Sequence, residues 1–292
     1  MIERPGDMLG VAAALCALGA CGGTTVIDDA LAGGGVGATA GGGGTSGSGG
    51  TSGSGGTAGS FPDKCPESPL TQAFLVDVAT PQGWTMCIDV VEVIQLEYEA
   101  WLGTGPDPDD QSAECSWNTS FVPDGPWPPD SVSGYWPVVH VDWCDAHAYC
   151  EAIGRRLCGA IGGASLPSSS FADCWESEWY NACTERCGRD YPYGTSYDPT
   201  VCNGVDNGGG EPWAADQHAS CATEAGVRDL SGNAWEWENS CSGSSGPTDD
   251  CRLRGGGFNS TAADLTCAVD VLTPRSTTAS NIGFRCCADP VR

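Results

Sequence analysis

The stretch Asp229-Leu-Ser-Gly-Asn-Ala-Trp-Glu-Trp237, DLSGNAWEW, runs a Gly-Asn turn directly into two tryptophans separated by a glutamate. Hydrophobic periodicity alone does not produce such a string. Asp229 and Glu236 place a carboxylate on either side of the turn, and Gly232 and Ala234 can add backbone carbonyls. Together these are hard oxygen donors of the kind that hold Ca²⁺. Trp235 and Trp237 supply the apolar bulk that anchors the turn to a core.

Three further strings surround this one: VVHVDWCDAHAYCEAIGRRLC at 138–158, LRGGGF at 253–258 and NIGFRCC at 281–287. Met86 to Asp89 reads as a strand, and Val93 to Leu102 as a helix stopped by Gly103. Pro137 to Val141 reads as a strand feeding the clearest helix, with Asp142 as N-cap and Asp145 as the capping-box acid. Ala146, Tyr149, Cys150 and Ile153 fall at helical spacing and face the core, and Gly154 ends the helix. Arg155 to Leu157 then returns to extended structure. A second helix is expected from Glu176 to Cys187, followed by irregular loop from Tyr191 to Asn207. His140, His147 and His218 lie far apart, and surface or half-buried histidines are the expected reading for His140 and His147.

In their order and content these strings resemble the formylglycine-generating enzyme, or sulfatase-modifying factor, family, whose GNxWEW signature is matched by Gly232 to Trp237. The resemblance implies an α+β, C-type-lectin-like fold: loop-rich, with short antiparallel strands, two or three helices and many disulfides. It also implies one structural Ca²⁺ held by the Asp229 side chain, the Gly232 and Ala234 carbonyls and the Glu236 side chain. A second would use Asn203 and Gly204 with a downstream carboxylate, Asp206 or Asp216. The family's oxidation chemistry needs two thiolates that bind Cu(I), placed as C-x4-C just after an RGGS-[FY] string; soft sulfur pairs select that ion. Here the string is Arg254 to Phe258, Gly257 stands for the usual serine, and the two cysteine positions carry Ser260 and Leu265. Cys267 is the only cysteine between Phe258 and Arg285, so a disulfide is its expected use and copper is not an expected cofactor. Ser260 as a nucleophile lacks a histidine base nearby in sequence.

Ahead of this region, Leu9 to Ala20 is a short apolar run ending in Leu18-Gly19-Ala20-Cys21, a lipobox-like site. The run is too short to span a bilayer and fits a signal peptide over 1–21, with Cys21 as the lipidation site. Residues 22–60 are mostly Gly, Ser, Thr and Ala and cannot bury enough apolar surface to offset their ordering entropy. As a flexible coil such a tether reaches roughly 30–40 Å. Residues 61–292 form one domain with no second linker. Removing Cys16 and Cys21 from the 18 cysteines leaves an even 16, which points to disulfides and an oxidising, exported location. Vicinal Cys286 and Cys287 are expected to reach different partners, with the connectivity open. A formal charge of −26 repels phosphate backbones and argues against nucleic acid as a partner.

Together these features describe an exported lipoprotein, anchored through Cys21 to the bacterial cell envelope at the outer membrane, with a non-catalytic domain that binds a protein or glycan. The alternatives are a formylglycine-generating oxidoreductase acting on a sulfatase-like substrate, or another enzyme reusing the same groove.

Overall fold

The computed structural model describes residues 64–66, 75–128, 133–208, 210–215 and 217–291. The leader, the Gly/Ser tether and Asp216 lie outside the described residues. Two four-stranded sheets and three helices make up the regular structure of the described residues. The first sheet takes β1 (Leu75–Ala79), β2 (Thr85–Asp89), β8 (Cys286–Ala288) and β3 (Arg156–Leu157) in that order. In the second, the order is β6 (Val271–Pro274), β5 (Asp250–Arg254), β4 (Trp235–Cys241) and β7 (Ile282–Phe284). All pairs are antiparallel except β4 with β7, where Trp235 lies opposite Ile282 and Trp237 opposite Phe284 in parallel register. The expectation of antiparallel strands therefore fails at the pair that carries the two signature strings.

Helix α2 (Trp143–Ala152) starts as its sequence specifies. Asp142 accepts from the Asp145 amide at 2.9 Å, and Asp145 accepts from the Asp142 amide at 3.1 Å, closing the capping box. Ala146, Tyr149, Cys150 and Ile153 are buried, and Gly154 leaves the helix at φ +74°. Helix α1 (Gln95–Leu102) ends at Gly103 but begins two residues later than its apolar start suggests. Helix α3 (Glu178–Thr184) is shorter than the expected 176–187 span, because Glu185, Arg186 and Cys187 are all left-handed. Pro137 to Val141 is not a strand either. His140 sits at φ +62°, and the neighbouring amides bond singly to Val93 and Ala279 carbonyls instead of joining a ladder.

The main core packs Tyr98 and Trp101 of α1, Tyr149 of α2 and Phe284 of β7, with ring centroids 5.0–6.2 Å apart in stacked and edge geometries. A second cluster gathers Ile88, Trp179, Val227 and Leu230 around two disulfides. The 16 cysteines of the domain form eight disulfides: 65–87, 115–144, 150–286, 158–287, 174–187, 183–267, 202–221 and 241–251. Cys286 and Cys287 do reach different partners, tying β8 to α2 on one side and to the residue after β3 on the other. Sparse regular structure is thus compensated by cross-links, each of which stabilises by about 2–4 kcal/mol in small exported domains.

Candidate functional site

Asn233 is the keystone of the signature turn. It is left-handed at φ +65°, beside Gly232 at +83° and Asp229 at +57°. A Cβ on Gly232 would stand 2.2 Å from the Asn203 carbonyl oxygen, so only glycine lets the two segments touch. The Asn233 side chain donates to Glu92 at 3.0 Å and accepts from Asn203 at 3.0 Å and from the Trp213 amide at 2.7 Å. Its backbone bonds Asn203 and Phe258 at 2.8 Å each. One residue therefore joins the segments 203–213 and 254–258 and the chain entering α1. The sequence around Asn233 predicts a turn and no more; the signal it held for a wider role was a carboxamide that the turn does not need.

Glu236, expected as a calcium ligand, is committed to a cation of the protein itself. Its Oε2 accepts from Arg285 Nε and Trp179 Nε1, both at 2.7 Å, and its Oε1 accepts from Arg285 Nη2 at 2.6 Å. Both side chains are buried to about 1% exposure, which makes the bidentate pair a fixture of the core. Asp229 lies in the field of the same guanidinium. Burial, and then the Asp229 charge, push the Glu92 carboxyl well above the usual range. No role was expected of Arg285 from the sequence; the signal it held was a single charge in the string NIGFRCC, which needs a partner if buried.

Asn203, expected with Gly204 at a second calcium site, keeps one oxygen without a hydrogen-bond partner. The Asn203 Oδ1 is buried and accepts no hydrogen bond. Gly208 packs tightly beside it: a Cβ there would lie 2.4 Å from that oxygen, 2.9 Å from the Gly204 carbonyl and 3.4 Å from the Phe258 carbonyl, so only glycine fits. The Asn203 Oδ1 is thus an oxygen donor of the type Ca²⁺ takes, whereas the neighbouring Gly204 carbonyl already accepts from the Asn207 and Gly208 amides at 3.0 and 2.7 Å. Gly232 and Ala234 are brought against this segment by the Asn203–Asn233 bonds.

The loop after β5 is closed. The Ser260 Oγ accepts from the Gly257 amide at 3.0 Å while the Ser260 amide donates back to the Gly257 carbonyl at 2.9 Å. Gly257 is confined as well, since a Cβ there would meet Asn281 at 3.1 Å and Trp235 at 3.2 Å. Leu265 is 1% exposed and its methyls fill the space over Gly204 and Gly256. Cys267 is bonded to Cys183. Every cysteine among the described residues is a half-cystine, and Ser260 and Leu265 stand where the sequence resemblance puts the family's two thiolates. His147 stacks on Trp143 at 4.6 Å and faces Glu151 at 3.5 Å, and His140 lies between elements, so neither histidine joins a ligand set.

The class these features define is confirmed by comparison. The model of the sulfatase-modifying factor enzyme 1-like domain matches residues 79–290, and the chain belongs to this family. The formylglycine-generating enzyme of Bos taurus is 29% identical over 180 residues, which is 52% of this chain and 44% of that protein. The inactive C-alpha-formylglycine-generating enzyme 2 of Mus musculus is 31% identical over 172 residues, 53% of this chain and 50% of that one. The chain thus matches half or less of the length of these curated relatives. Among solved structures, Treponema denticola variable protein 1 superposes with a TM-score of 0.52 at 18% identity, covering 78% of this chain and 99% of that one. PvdO from Pseudomonas aeruginosa gives 0.51 at 16%, covering 74% and 92%. At these identities the two structures establish the fold, a formylglycine-generating-enzyme-like, C-type-lectin-like architecture.

Proposed function

We propose that this chain is a non-catalytic binding module of an exported lipoprotein, tethered through Cys21 and the 22–60 linker to the outer membrane of a bacterial envelope. The observation that carries the reading is the closed loop: Ser260 and Leu265 fill the family's thiolate positions, and Cys267 is bound to Cys183. The match to an inactive relative as well as to an active one supports it. Its ligand is a protein or a glycan, since a chain of net charge −26 repels nucleic acid. Ca²⁺ is proposed as a structural ion held at Asn203 and Gly204, where it would give the unpartnered Asn203 Oδ1 a partner and pin the loop to the signature turn.

The test of the catalytic half is to incubate the purified protein with copper, oxygen and a cysteine peptide bearing a sulfatase motif, and to look for aldehyde by mass spectrometry. No aldehyde is expected; turnover would restore the oxidoreductase reading. For the anchor, Cys21→Ser is expected to move the protein from the membrane fraction to the soluble one, and full retention on membranes would refute lipidation.

A further inference from the structure

Two of the most exposed large apolar side chains among the described residues are tryptophans, Trp84 at 63% and Trp175 at 53%. They belong to segments that are pinned together, because the Gln82 side chain of the β1–β2 turn donates to the Trp175 carbonyl at 2.6 Å. The turn itself is stiff. Thr80 exchanges backbone bonds with Trp84 and Gly83 at 2.8 and 2.9 Å, and its hydroxyl accepts from the Trp84 amide at 3.0 Å. A stiff turn fixes where the indole leaves the backbone, so binding there need not order the loop as well.

Beside Trp84 lies a hollow of about 450 Å³, walled by Trp84, Thr85, Ile161, Glu178, Asp289 and Pro290. Of its two carboxylates Glu178 is buried, whereas Asp289 is 67% exposed. Arg156 Nη2 bridges them, bonding Glu178 and, at 2.9 Å, Asp289. An ammonium entering here meets a guanidinium. An anion meets two carboxylates on a protein of net charge −26. What the walls do offer is one flat apolar face, an exposed carboxylate acceptor in Asp289 and the hydroxyl residue Thr85. A neutral polyhydroxylated ring has the matching chemistry, with a C–H face to lay on the indole and hydroxyls that both donate and accept.

We propose that the hollow between the β1–β2 turn and the start of α3 is a binding subsite for a neutral carbohydrate, with Trp84 as its stacking face and Trp175 extending it toward a second ring. It rests on the binding role proposed above and deepens it by naming a ligand class. It shares no residue with the 254–265 loop, so failure here leaves the closed loop and its lack of catalysis untouched, and aldehyde formation would leave this subsite untouched.

The experiment is native affinity electrophoresis of the full chain in gels carrying dextran, laminarin, xylan or galactomannan, with anionic alginate and, by calorimetry, oligolysine as the contrasting probes. Retardation by at least one neutral polysaccharide is expected, weakened at least tenfold in Trp84→Ala and less in Trp84→Phe. The Tyr135→Ala variant removes a residue of similar exposure, 61%, that does not line the hollow, and is expected to run as the parent does. Trp84 is a surface residue, and an unchanged melting temperature in its variants shows that lost binding is not lost folding. The proposal is overturned if no neutral polysaccharide retards the chain, if Trp84→Ala is retarded as strongly as the parent, or if oligolysine binds through Trp84 instead.

Discussion

Glu236 has protein partners that the sequence signature does not announce. Its carboxylate holds Arg285, 49 positions away, and Trp179, 57 away. Glu236→Ala leaves that guanidinium buried without its counter-charge, a loss expected at about 3–5 kcal/mol. The deficit should appear as a lower urea midpoint of the same size with calcium or with chelator. Asn203→Ala is expected to behave differently, losing the calcium-dependent part alone, which for a native-state ligand at a hundredfold excess over Kd is about 2.7 kcal/mol. If Glu236→Ala abolishes the chelator response and Asn203→Ala keeps it, the ion belongs to the signature carboxylate and not to Asn203. The turn was legible because Gly232 and Asn233 are the residue types that left-handed backbone selects. The Arg285 pairing was not, because long-range partners leave no period in the sequence.

Among the elements, those set by local chemistry were the ones the sequence could specify. Asp142 and Asp145 define the start of α2 by bonds that span three residues, and Gly154 defines its end. By contrast, Pro137 to Val141 has strand composition, yet its amides are claimed by other segments, and the end of α3 is set by three left-handed residues beside the Cys174–Cys187 bridge. Buried acids at these elements make stability depend on pH. Burial pushes the Glu178 carboxyl at the start of α3 up from 4.5 to about 7, against the opposing pull of Arg156, and Asp89 in β2 up from 3.8 to about 6. A raised carboxyl binds more protons folded than unfolded. Its contribution is therefore complete below the unfolded value and is lost as pH rises through the folded one. The melting temperature is expected to fall between about pH 4.5 and 7 and to flatten above, with Glu178→Gln reducing the slope. A melting temperature that rises across that window would contradict the burial argument.

For the molecule as a whole, the fold was legible from a few strings because family scaffold residues do the pinning, and the family match over residues 79–290 spans nearly all of the described region. Disulfide connectivity was not legible, since an even count of cysteines fixes the number of bridges and leaves their pairing to the three-dimensional fold. Eight bridges take up every cysteine among the described residues, and the non-catalytic reading depends on that. The decisive measurement is titration of the unreduced protein with Cu(I) against a competing chelator. No copper should be retained, and alkylation without reductant should label none of the 16 cysteines between 65 and 287. One tightly held Cu(I) per chain, lost in Cys267→Ala, would show that Cys267 is a thiolate ligand in an open loop and that the domain retains its family's metal.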